Sequence, residues 1–290
     1  MSELDPNDAR AHGSGRSARI ADPASLNAAA RRVLGMVLRY WYVIRSSWPR
    51  TAELIYWPLV QMLMWGFLQS YLAERSGFAA NAAGLFIGGV LLWDILVRSQ
   101  LGFAVAFLEE VWSRNLGHLM MSPLRPNELV ISLILVSLLK LGVAMVPVAL
   151  LAYLFFGFNL LSLGLAFAAF FANLVIMSWS LGLVSTGAVI RWGMGAESFA
   201  WLVVFALMPL CCVYYPVSTL PGWMHPLAYA LPPTYVFEGL RALVLHQTFE
   251  AGLMARALAL NVVYFVLALG VFHHFLRSAR INGSLVQMGE

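Results

Sequence analysis

The sequence predicts an all-α integral membrane protein with six transmembrane helices, an N-terminal interfacial amphipathic helix, a cytosolic amphipathic helix and an outer-face re-entrant helical hairpin. Three observations carry this. The 290 residues are 61% hydrophobic and 11% charged, with mean hydropathy +0.77, far more apolar than a soluble domain. Six apolar runs approach or exceed the ~20 residues that cross a bilayer core, with one shorter exception. Arginines recur on alternate connections, the pattern of the positive-inside rule.

Residues 1–27 are rich in Ala, Ser, Gly, Asp and Arg, without apolar periodicity or the hydrophobic core of a secretory signal, and read as a disordered cytosolic tail. Residues 28–290 then form the membrane domain. Between Ala28 and Trp48, a stripe of Arg31, Gly35, Arg39, Tyr42 and Arg45 is set apart from Val33, Leu34, Val37, Trp41 and Ile44. Such a basic amphipathic helix lies in the headgroup plane.

The spans are placed at about 53–72, 84–105, 129–156, 160–190, 198–215 and 253–276. The tail, the loop with Arg114 and Arg125, the loop with Arg191, and the terminus with Arg277 and Arg280 are expected in the cytosol. The uncharged turn Gly157 to Asn159 and the nearly neutral loop at Glu74 and Arg75 face the other side. Both termini are thus expected in the cytosol of a multi-pass protein of the cell inner membrane.

Between spans two and three stands a polar island, Phe107 to Glu128. On a helical wheel Leu108, Val111, Trp112, Leu116, Leu119 and Met120 share one face, and Glu109, Glu110, Ser113, Arg114, Gly117 and His118 the other. Glu110 and Arg114 are spaced to pair along this helix. Pro123 and Pro126 end it, and Asn127 is placed to cap the next helix. A membrane protein that keeps such a helix at a bend offers it to a soluble partner.

Prolines 216, 221, 226, 232 and 233 break the stretch from Pro216 to Gln247 into short pieces. Thr234 then opens a helix with Val236, Phe237, Leu240, Leu243 and Val244 on one face, and Glu238 and Arg241 spaced to pair. Broken helices at membrane depth need protein or a water cavity around them, so this segment reads as re-entrant.

The order of these elements, with Ser122-Pro123-Leu124-Arg125, Leu220-Pro221, Pro232-Pro233-Thr234 and Glu238-Gly239-Leu240-Arg241 at their places, resembles the membrane subunits of type 2 (ABC-2) ATP-binding-cassette exporters from about Arg31 onward. The resemblance implies a permease moving a lipid-like, lipid-linked glycan or amphiphilic drug substrate out of the cytoplasm or inner leaflet. It implies that the helix between spans two and three is a coupling helix, with Glu109, Glu110, Arg114, Asn115 and His118 at an ATPase contact. The turn Arg191 to Glu197 is a second contact, and Pro221, Pro232, Pro233, Glu238 and Arg241 belong to the re-entrant segment. Its partners are two cytosolic ATPase subunits, a second permease copy or homologue, and membrane lipids, with no nucleic acid.

The chain has no GxxxxGK[ST] phosphate loop, no zinc pattern and no GxSxG elbow, so it is not expected to be an enzyme, and ATP and Mg would be bound by the partner ATPase. Cys211 and Cys212 are adjacent and read as packing residues, and His273-His274 as a surface pair without further metal ligands. Intramembrane charges are functional candidates by default. Asp94 and Arg98 are spaced to neutralise one another, whereas Lys140 either pairs across helices or lines a route. Gln61, Gln69, Asn173 and Asn261 read as interhelical hydrogen-bonding groups. Trp65, Trp93, Tyr214 and Tyr215 are candidates for a substrate path, the two tryptophans above all, against the reading of an interfacial aromatic belt. The rival function is an ATP-independent, ion-coupled carrier using Asp94, Arg98 and Lys140.

Overall fold

A computed structural model describes residues 26–76 and 83–281, and among them are ten α-helices and no strand. They are α1 (Leu26–Ser46), α2 (Trp48–Ser76), α3 (Ala83–Trp112), α4 (Leu116–Met121), α5 (Pro126–Phe156), α6 (Leu165–Trp192), α7 (Phe199–Leu207), α8 (His225–Tyr229), α9 (Pro232–His246) and α10 (Ala251–Ile281). The tail predicted for residues 1–27 falls outside the described residues, apart from Leu26 and Asn27, which open α1.

Four of these helices, α3, α5, α6 and α10, are long and apolar enough to cross a membrane. The first predicted span lies within α2, whose 29 residues reach about 44 Å but carry Arg50, Glu53, Gln61, Gln69 and Glu74. The fifth predicted span, 198–215, is corrected. Its helix α7 has only nine residues, and turns follow to Tyr215. Met208 is still right-handed, but Cys212 takes a left-handed φ of 54°, so the run is not one straight helix to Tyr215.

Helix α3 is the centre. Nearly every residue of its apolar stretch is buried, with α2, α5, α6 and α9 packed around it. Phe103 and Phe107 are fully enclosed. Gly102 permits the close approach of α5: a Cβ there would stand 3.2 Å from the Cα of Ser137. The Ser137 hydroxyl in turn accepts from Trp179 Nε1 of α6 at 2.9 Å. Helix α10 lies outside, against α6. Asn261 of α10 donates to the carbonyl oxygen and side-chain oxygen of Asn173, both at 2.9 Å, the interhelical role its sequence suggested.

At the predicted outer turn, Gly157 closes α5 with φ 66°, and Asn159 accepts from the N–H of Leu161 at 2.9 Å. The proline-broken segment forms short helical turns, then α8 and α9. Its helix begins at Pro232, two residues before the predicted Thr234, because Pro at the first helical positions lacks only an N–H that would go unused.

Candidate functional site

The polar island is not one amphipathic helix. Helix α3 runs on from the membrane to Trp112, and Arg114 takes a left-handed φ of 56°, which breaks the helix before the six residues of α4. The expected Glu110–Arg114 pair along one helix is therefore not made.

Glu110 instead points inward. It is 1% exposed, and the side chains around it come from distant sequence. Arg39 of α1 places both Nη atoms 3.0 Å from Oε2, Asn115 donates to the same oxygen at 2.7 Å, and Tyr40 approaches Oε1 at 2.6 Å. The Tyr40 hydroxyl is equally close to the carbonyl oxygen of Ala106, so its single proton serves one of two acceptors. Burial, first, and the Glu110 charge beside it hold the Tyr40 phenol far above the usual tyrosine range, so it stays a neutral donor. A buried carboxylate with four donors converging on it is satisfied, and it fixes α1 to the end of α3.

A second clamp joins α1 to the start of α5. Arg32 meets Glu128 in a two-pronged contact, Nε to Oε2 at 2.8 Å and Nη2 to Oε1 at 2.5 Å. Glu128 also accepts from the backbone N–H of Arg125, so it caps α5 from within. Asn127, expected as the cap, lies two residues past the N-cap, Arg125. Its side chain meets His273 Nε2 of α10 at 2.8 Å.

Thus α1 grips both helices that flank the bend. The bend itself presents Arg114 and His118 to solvent, while Glu110 is buried and Glu109 and Asn115 are half-buried. Glu109 goes to Lys140, a partner on another helix: Nζ stands 3.2 Å from Oε1. The two cytosol-assigned segments also meet, since Trp112 Nε1 donates to Glu197 Oε2 at 3.2 Å. Arg191 is exposed near this contact.

At the other end, Glu238 and Arg241 pair as expected, at 3.1 Å. They do more than pair: Glu238 accepts from the N–H of Val217, and Arg241 Nη1 donates to the carbonyl of Cys212, both at 2.9 Å. The two residues tie α9 to the bent chain after α7.

The family-level comparison covers this architecture from the α1 clamp to the end of α9: the model for ABC-2 type transporters matches residues 39–245. The chain belongs to the ABC-2 type transporter family. Comparison with curated proteins gives no match. In this ABC-2 type chain the matched part is a membrane domain, without a nucleotide-binding domain, and it holds the bend, both of its flanking helices and the Glu238–Arg241 tie.

The other candidates divide. In the ABC-2 chain Trp65 stacks on Tyr214 with ring centroids 4.2 Å apart and planes at 18°, joining α2 to the turn after α7. Trp93 is 2% exposed and packs beside Phe237, inside the core of the single chain. Tyr215 donates to the carbonyl of Pro209. Asp94 and Arg98 do not form the expected ion pair. Both carboxylate oxygens of Asp94 and Nε of Arg98 are buried without a hydrogen-bond partner. Two residues four apart on a helix are spaced for contact, but spacing alone does not make the pair.

Sequence reasoning missed Arg32, Tyr40 and Glu128. A signal existed: Arg32 and Arg39 lie seven apart on α1, on one face, and two acids of the bend are their natural complements.

Proposed function

We propose that the chain is the permease subunit of an ATP-driven exporter and that α4, with Arg114 and His118, is its coupling helix. The observation that carries this reading is the bend: Arg114 just before α4 and His118 and Met121 on it are exposed, on a base fixed by the buried Glu110 network. An element that transmits force must be accessible on one side and rigidly tied on the other, and α4 meets both demands. Arg191 and Glu197 supply a second contact. Two cytosolic ATPase subunits would close on ATP and press on α4, and a second permease copy or homologue would complete the route.

Movement at α4 reaches the bundle through α3, which continues into the bend, and through α1. Coupling needs the ATPases to bind two permease states unequally, and the clamped α1–α3–α5 unit is the body that they would shift. The cargo is a lipid-like, lipid-linked glycan or drug-like amphiphile, taken from the cytoplasm or inner leaflet, with both termini of the chain in the cytosol of the inner membrane. The ion-coupled carrier reading loses support because Lys140 is already paired with Glu109.

The test is co-purification from native membranes of the tagged chain, wild type against Arg114→Glu plus His118→Glu. A stoichiometric ATPase that accompanies the wild type and is depleted at least several-fold by the double variant supports the reading. Absence of any ATPase with a well-folded wild type contradicts it.

A further inference from the structure

A cavity of about 280 Å³ follows one face of α3, between α2, α5 and α7. On α3 it is lined by Arg98, Leu101, Gly102, Val105, Glu109 and Trp112, a stripe at helical spacing that spans about 21 Å. Three cationic side chains border it, Arg50, Arg98 and Lys140, against two acids, Glu53 and Glu109. Lys140 and Glu109 neutralise each other at 3.2 Å. Exposed Arg50 and Glu53 belong to the rim, one of each sign. These charges leave one positive charge on the lining, and Arg98, whose Nε is buried without a hydrogen-bond partner, makes no ion pair among the described residues; the carboxylate of Asp94, outside the lining, acts on it only at longer range.

An unanswered guanidinium donor between apolar walls is costly unless an anion meets it. The volume lies at the lower end for small-molecule sites, enough for a headgroup and too little for a long chain. The cavity wall includes Trp201 of α7, and the neighbouring Leu202 and Phe205 are 62% and 57% exposed. A hydrocarbon tail therefore has an apolar surface beside the mouth.

We propose that this cavity binds the singly charged anionic headgroup, a phosphate ester or carboxylate, of an amphiphile, with Arg98 as the anion-binding residue. Its meaning as a substrate entry site rests on the permease reading, but the binding itself does not. The amphiphile is favoured over a free anion because Trp201 of the cavity wall is followed on α7 by the exposed apolar side chains of Leu202 and Phe205.

The experiment is native mass spectrometry of the purified full chain with equimolar dioleoylphosphatidylglycerol and dioleoylphosphatidylcholine. The proposal expects one phosphatidylglycerol retained in preference, by about tenfold or more, as a charge-assisted contact implies. Arg98→Gln removes the preference, Arg98→Lys keeps most of it, and Arg277→Gln, an exposed cation elsewhere, leaves it unchanged. Should Arg98→Gln fail to fold, Leu54→Trp fills the cavity without altering charge and is expected to lower retention of phosphatidylglycerol. Equal retention of both lipids by the wild type, or a preference that survives both Arg98→Gln and Leu54→Trp, overturns the proposal. Displacement of the lipid by millimolar inorganic phosphate would make this a free-anion site and overturns it equally. Because no ATPase enters the measurement, its outcome is independent of the co-purification test.

Discussion

The hydroxyl of Tyr40 stands 2.6 Å from Oε1 of Glu110, across 70 positions of sequence, and this contact joins the amphipathic first helix to the last turn of the central one. Both side chains are almost wholly enclosed, at 3% and 1% exposure. The pair makes the base of the exposed bend a fixed body instead of a flexible loop.

Tyr40→Phe removes one donor from a buried carboxylate and should lower unfolding free energy in detergent by about 1–3 kcal/mol at neutral pH. The pH dependence has a definite sign. The folded-state pKa lies above the unfolded value of about 10, so the contribution is complete below pH 10 and falls as pH rises beyond it. The wild-type advantage over Tyr40→Phe should therefore shrink between pH 9 and pH 11, by up to about 1.4 kcal/mol per unit. An advantage that grows with pH would show that Tyr40 is not held neutral by this site.

Gly182→Ala places a Cβ 2.8 Å from the ring of Phe103, with the Phe103 Cβ only 3.0 Å away. Phe103 is fully buried and has no room to turn, so overpacking of α6 against α3 should cost about 1–3 kcal/mol. Gly142→Ala is the control: its Cβ enters open space in the same bundle and should be nearly neutral or slightly stabilising. Thermal unfolding of the two variants side by side checks the α3–α6 packing.

Arg241→Met keeps bulk but removes the donor to the Cys212 carbonyl and the partner of Glu238. The expected loss is about 2 kcal/mol. It should come with faster proteolysis between Pro209 and Pro221, since the bent chain after α7 loses its tie to α9. Unchanged proteolysis with lowered stability would assign Arg241 a packing role only.

Much of this architecture is legible in sequence, and the failures have physical causes. Apolar run length locates the helices α3, α5, α6 and α10, and proline spacing locates the broken segment before α10. Glu110 was read as outward because a helical wheel treats every polar face as wet. It has no knowledge of α1, which covers that face with Arg39 and Tyr40. Run length also overstates the helix of span five, where the left-handed Cys212 ends the helical path. Asp94 and Arg98 show a different limit: spacing permits an ion pair that the structure does not make.

The most direct measurement of the central claim is site-specific photo-crosslinking in native membranes. A photoreactive amino acid is placed at His118, on the exposed bend, and in a separate variant at Leu165, 90% exposed at the opposite end of the bundle. The account predicts a crosslinked cytosolic ATPase at position 118 and none at position 165. Crosslinking of the ATPase from position 165, or from neither while the two proteins co-purify, would contradict α4 as the coupling element.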